Sequence, residues 1–223
     1  MSPKDFIDKI VVYYHDSRSL IINKGSHNIW RGVSHCISSK VEDLFSLFIA
    51  DNIKNQSLEY VVDKTFSLCK ECESIAFRPD LAIIQDNCVT HLFDIKMDMG
   101  YKRNVAKDKG FDKHNDLCES FRLSCNQVSY KDVDGKKRVL CVSKDIVYRV
   151  VVISESNMQK LFLDKIIQYV KTLKYVDIYF LTKDAHPNNY NGRYPNINLN
   201  EFNLLLGDVK KDVSSFRITS CIE

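Results

Sequence analysis

Asp80, Asp94 and Lys96 are the residues of this chain whose types and spacing could do chemistry together. Asp80 follows Pro79 and opens the apolar run "DLAIIQD", whereas Asp94 closes the next run, "VTHLFDIK", in which Lys96 stands two residues further on. "QDNC" between the runs holds residues that favour a tight hairpin turn. If both runs are central strands, the hairpin lays the start of one beside the end of the other and brings two carboxylates to one edge of the sheet. Left alone they repel and raise each other's pKa, a cost that a divalent cation between them removes. Mg²⁺ suits the arrangement, because it takes hard oxygen ligands and is commonly held by one or two carboxylates with waters and substrate phosphate; Mn²⁺ is expected to substitute. The two-residue period of a strand puts Lys96 on the face of Asp94, where an ammonium can orient a water and stabilise hydroxide as it attacks phosphorus.

The elements around these residues follow from periodicity. "SSKVEDLFSLFIADNI" has Val41, Leu44, Phe45, Phe48 and Ile49 at helical spacing, with serines able to cap and Glu42 beside the apolar stripe. "LEYVVDKTFSLC" is β-branched and aromatic and is expected as a strand, followed by the two runs above. "FDKHNDLCESFRLSCNQVSY" carries an imperfect helical pattern on Phe111, Leu117, Phe121 and Leu123. "IVYRVVVIS" and "VDIYFLT" are expected as buried strands, and the amphipathic "SNMQKLFLDKIIQYVKTL" between them as a helix. From Lys183 the Asn- and Pro-rich "KDAHPNNYNGRYPNINLNEF" is expected as loop. The order is α-β-β-β-α-β-α-β.

Pro79-Asp80 and Asp94-Ile95-Lys96, on a strand pair preceded by a helix that bears an acid, resemble the PD-(D/E)XK nuclease superfamily over roughly residues 34 to 155. The resemblance implies an α/β fold with a restriction-endonuclease-like core, a central mixed β-sheet flanked by helices in α-β-β-β-α-β order. It also implies metal-dependent phosphodiester hydrolysis. Asp80 and Asp94 would bind the metal with help from the Ile95 carbonyl, Lys96 would position the attacking water, and Glu42 would match the helix acid of many members. Asp-x-Lys also occurs at Asp134 and Asp208, but the first sits in an Asp-Gly turn and the second follows a loop-like glycine. Gln127 and Tyr130 stand one residue too close for the Gln-x-x-x-Tyr signature of exonuclease-like members. Without a phosphate-binding ATPase loop, the chain is most similar to a stand-alone type II restriction endonuclease, cutting double-stranded DNA as a homodimer. A defence-associated or structure-specific nuclease acting on DNA or RNA, or a catalytically silent nucleic-acid-binding module, are the alternatives.

Composition limits the rest. The 223 residues, 44% hydrophobic and 27% charged, suffice for one sizeable core, expected over about 34–182 with a loop-rich tail over 183–223. A net charge of +3 identifies no partner, but Lys96, Lys102, Arg103, Lys107, Lys109 and Lys113 outnumber Asp98, Asp108 and Asp112 by six to three within one segment. Beside the carboxylates, Lys102, Arg103 and Lys107 are therefore expected along DNA phosphates, with Arg31 in "HNIWRGVSH" as a further contact. "HPNNYNGRY" adds groups able to reach base edges. No apolar run reaches the roughly 18–20 residues that cross a bilayer, and the N-terminus lacks a signal-peptide core, so a cytoplasmic protein with its eight cysteines reduced is expected. Cys69 and Cys72 have ligand spacing that His114 and Cys118 could complete as a zinc site.

Overall fold

The five apolar residues at helical spacing between Ser38 and Ile53 are all buried on one side of a 16-residue helix. The computed structural model that contains it describes residues 1–17, 21–24, 27–30, 36–69, 74–100, 110–123, 127–188 and 192–217. Its first half runs α1 (Pro3–Ser17), β1 (Ile21–Lys24), β2 (His27–Trp30), α2 (Ser38–Ile53), β3 (Leu58–Val62), β4 (Phe66–Cys69), β5 (Ser74–Phe77), β6 (Leu81–Gln85) and β7 (Cys88–Lys96). The second runs α3 (Phe111–Leu123), β8 (Gln127–Lys131), β9 (Lys137–Val142), β10 (Tyr148–Ser154), α4 (Lys160–Val170), β11 (Val176–Lys183), β12 (Asn196–Ile197) and α5 (Leu199–Ser215).

The fold is α/β, with a mixed central sheet flanked by helices. Strand β7 is its hub, and eight of its nine residues are buried. It pairs antiparallel with β6 and parallel with both β9 and β10, and β10 continues parallel to β11. The β6–β7 turn is made by Asp86 and Asn87 at φ 51° and 62°, the left-handed pair of a two-residue hairpin that "QDNC" foreshadows. Alternation along the strands divides the core in two. Phe93, Ile95, Val151 and Ile153 pack against α1, α2 and α5, while Leu92, Val150 and Val152 pack with Phe111 and Phe121 of α3 and Ile166 of α4. Each fully buried side chain of this size contributes on the order of 1.5–3 kcal/mol.

Several expectations need correction. The tail beyond Lys183 is not all loop, because α5 spans 17 residues and buries Phe202, Leu205 and Val209 against the sheet. Their i, i+3, i+7 spacing lies behind an Asn-rich opening, and Gly207 is helical and not a break. The strand expected over 58–69 is split by Asp63, at φ 50°, whose amide bonds to the Asp80 carbonyl at 3.0 Å. Helix α3 stops at Leu123, and the chain then forms the β8–β9 hairpin, which sequence periodicity left unread. Cys88 and Cys141 are directly opposed in register across β7 and β9, with Cα atoms 4.4 Å apart, and are joined as a disulfide where reduced thiols were expected. Among the described residues no helix is long and apolar enough to cross a membrane.

Candidate active site

Asp80 extends the β6 ladder by one residue. Its amide donates to the Phe93 carbonyl at 2.9 Å, which fixes it beside the C-terminal half of β7, and its carboxylate accepts the amide of Ile95. Asp94 lies between Phe93 and Ile95, so the hairpin brings the two acids together. Burial pushes the Asp80 carboxyl well above the ordinary carboxylate range; the Ile95 amide opposes this, and the charges of Asp94 and Glu42 add to it.

Asp94 answers to a different balance. Lys96 Nζ stands 2.6 Å from its Oδ1, and His114 Nε2 stands 3.2 Å from its Oδ2. Burial alone would raise this carboxyl, but the His114 hydrogen bond and the Lys96 ammonium together hold it below the usual range. The side chain of Lys96 is 43% exposed, so one flank of the site meets solvent while Asp94 itself, at 11%, does not. Glu42 is half-buried on α2 and its charge acts on Asp80, with no hydrogen bond joining the two. Burial, then the charges of Asp63 and Asp43, raise the Glu42 carboxyl, while Arg78 and Lys96 pull it down.

The structure thus gathers Asp80, Asp94 and Lys96 at one end of the β6–β7 pair and keeps Glu42 within electrostatic range. Lys102, Arg103, Lys107, Arg31 and Cys72 lie outside the described residues. The other Asp-x-Lys occurrences do no comparable work: Asp134 belongs to the β8–β9 turn, and Asp208 of α5 accepts the Tyr179 hydroxyl at 2.8 Å. The sequence offers His114 only as a residue that, with Cys118, could complete a zinc site with Cys69 and Cys72. Instead Cys118 is buried, its thiol pushed up to about 12, and His114 turns to Asp94. Its ring is stacked on Tyr148 with centroids 3.8 Å apart. Asn115 holds the helix in place by accepting the amides of Lys174 and Tyr175, and Asp112 by accepting the Tyr169 hydroxyl. The signal was present in the sequence, since His114 is a polar residue on the stripe of Phe111, Cys118 and Phe121 that α3 buries.

No family model matches this chain. No curated protein and no solved structure matches it either. What the site can do therefore rests on its own geometry.

The donor set fits a hard divalent cation. The charges of Asp94 and Glu42 both act on Asp80, which accepts the Ile95 amide and feels the charge of Arg78, a cation itself paired with Asp63. No three His, Cys, Asp or Glu side chains gather closely enough among the described residues to share one ion. The chain would thus supply Asp80, Asp94 and the Ile95 carbonyl, leaving remaining positions to water and phosphate oxygens, which is how Mg²⁺ is usually held.

Proposed function

We propose that the chain is a metal-dependent nuclease of the PD-(D/E)XK type that hydrolyses phosphodiester bonds in double-stranded DNA, in the manner of a type II restriction endonuclease. One observation carries this reading: the half-buried Asp80 and the buried Asp94 meet at the end of a strand pair with the Lys96 ammonium 2.6 Å from Asp94. Mg²⁺, or Mn²⁺ in its place, would be held by Asp80, Asp94 and the Ile95 carbonyl, with Glu42 as a candidate outer acid. Bound there, the ion supplies Lewis-acid polarisation of the phosphodiester and acidifies the attacking water.

Lys96, on the solvent side of Asp94, orients that water towards phosphorus and offsets the charge that builds as the new P–O bond forms and the ester P–O bond opposite breaks. His114 keeps Asp94 in one orientation, and the Tyr148 ring keeps His114 there. Met99 and Tyr148, which belong to the core on the α3 side of the sheet, are each at most 4% exposed. Cutting both strands of a palindromic site with one such centre per chain is accomplished most directly by a twofold homodimer.

The test is incubation of the purified chain with unmodified plasmid and Mg²⁺, alongside Asp94→Ala. Discrete fragments that require Mg²⁺ and Asp94 are expected. An intact plasmid under conditions where the protein binds it would remove the catalytic reading, and a smear would remove the sequence-specific part. Lys96→Ala should bind the same DNA and cut about 10²–10³-fold more slowly. A complex with one chain per duplex at saturation would overturn the dimer.

A further inference from the structure

Strands β9, β8 and β4 follow β7 towards one end of the central sheet and leave part of one side exposed. Ser67 stands opposite Ser129, and Lys131 opposite Lys137, so alternation sends these four side chains out of the sheet on one side. Leu68, Val128, Tyr130 and Leu140 enter the core on the other. On the outer side Lys131 and Lys137 are exposed and Val139, two residues along β9 from Lys137, is 57% exposed, whereas Ser129 opposite Val139 is 8% exposed.

With Lys64 and Arg78 these lysines line an open groove of about 610 Å³. Four cations thus surround a space to which the chain contributes one carboxylate, Asp63, and that carboxylate binds Arg78 at 2.5 Å. Among the described residues Lys64, Lys131 and Lys137 form no ion pair. The hydroxyls of Ser67 and Ser129 add neutral donors to the floor. By strand geometry the outward side chains are about 5 Å apart across strands and about 7 Å apart along one, a row of separate donors with no single focus. Such a row suits a chain of repeating anions, whose bound counterions are released as each is neutralised.

The groove adjoins the carboxylate site. Arg78 stands two residues before Asp80, its charge acts on both Glu42 and Asp80, and the Asp63 amide bonds to the Asp80 carbonyl. We propose that this groove holds the sugar-phosphate backbone of a polynucleotide on one side of the phosphate that meets Asp80 and Asp94, with Arg78 at the junction and Lys131 and Lys137 further out. The position of the cut relative to the groove rests on the nuclease function proposed above; the backbone contact does not.

The experiment measures binding of the full chain to duplex DNA, single-stranded DNA and RNA of equal length, in Ca²⁺ to prevent cutting, across a salt series. The double variant Lys131→Glu/Lys137→Glu alters two exposed strand positions, and an unchanged thermal melt establishes that it is folded. Its affinity should fall at least ~10-fold and its slope of log affinity against log salt should flatten by roughly two units, as for two lost phosphate contacts. Lys165→Glu/Lys171→Glu, on α4 and at its C-cap, should leave both unchanged. Whichever polymer binds tightest in the wild type and loses most in the groove variant is the one the groove takes. An unaltered slope in the groove variant, an equal loss in the α4 variant, or no binding of any polymer overturns the groove. If the groove variant loses affinity while the wild type never cuts in Mg²⁺, the groove stands and the nuclease function fails. Asp94-dependent cutting with a slope indifferent to both lysines means the reverse.

Discussion

His91 and Asp94 stand three residues apart on β7 and face opposite sides of the sheet, and their surroundings differ in one respect that separates structure from function. On the α5 side, His91 is fully buried beside Arg149 of β10, whose guanidinium, also buried, meets Asp212 of α5, while Tyr179 donates to Asp208 one turn earlier. The one deeply buried charge there has its counter-charge, and the set ties α5 to the sheet. On the α3 side, Asp94 is matched by Lys96 and His114, but Asp80 accepts only a backbone amide, the Arg78 charge that acts on it being paired with Asp63, and the mouth is open at Lys96. A matched buried set fastens elements together, whereas an unmatched set with access to solvent is prepared for a charged ligand.

The sharpest break of this contrast is in activity. Asp94→Ala should lower Mg²⁺-dependent cleavage on the order of 10³-fold, whereas Asp212→Ala should leave the rate per folded molecule intact. Stability should respond in the opposite order. Asp212→Ala strands the Arg149 guanidinium, only 3% exposed, and should cost about 2 kcal/mol in denaturant unfolding, discounted from a fully buried pair because Asp212 is 36% exposed. A loss below a few tenths of a kcal/mol would show that the two sets do not differ in kind.

His114 should behave as a positioning group. His114→Ala is expected to raise the Mg²⁺ concentration needed for half-maximal cleavage about 10–100-fold, and His114→Gln, which keeps a donor, to recover part of it. A change in melting temperature without a change in the Mg²⁺ titration would return His114 to a packing role.

The two sets also oppose each other in their response to pH. Burial, with the Arg149 charge second, holds His91 down at about 3, so between there and pH ~6.5 the unfolded chain binds a proton that the native state does not. This contribution to stability is present above ~6.5 and lost as pH falls, at up to about 1.4 kcal/mol per unit. Asp80, raised by burial, acts with the other sign: the native state keeps a proton that the unfolded chain loses above the ordinary carboxylate range, so stability falls as pH rises. In metal-free buffer the two contributions in the wild type therefore oppose each other between about pH 4 and 6.5. Asp80→Asn should lose stability on acidification, and His91→Asn should lose it as pH rises. Parallel curves for the three proteins would refute the assignment. Asp80→Asn should also melt slightly higher at neutral pH, by about 1 kcal/mol, whereas Asp94→Ala should not, since the Asp94 charge is already offset.

Sequence pattern by itself settled the strand pair and where its charged ends stand. The two apolar runs, the Asp86-Asn87 turn and the Pro79-Asp80 and Asp94-Ile95-Lys96 ends required only local geometry, as did the stripe of α2, because hairpin closure and helical spacing act over a few residues. What local pattern could not decide were the contacts between residues distant in sequence. The burial of α5 depends on Phe202, Leu205 and Val209 meeting a sheet face completed only when β11 has joined β10. The break at Asp63 depends on Asp80, and the Cys88–Cys141 bond on the β7–β9 register. His114 reaches Asp94 because the hydrophobic stripe of α3 is laid onto the face of the sheet that carries Asp94. Burial is a property of the assembled layers, so the choice of which polar residue on a stripe becomes part of a site waits on the tertiary structure.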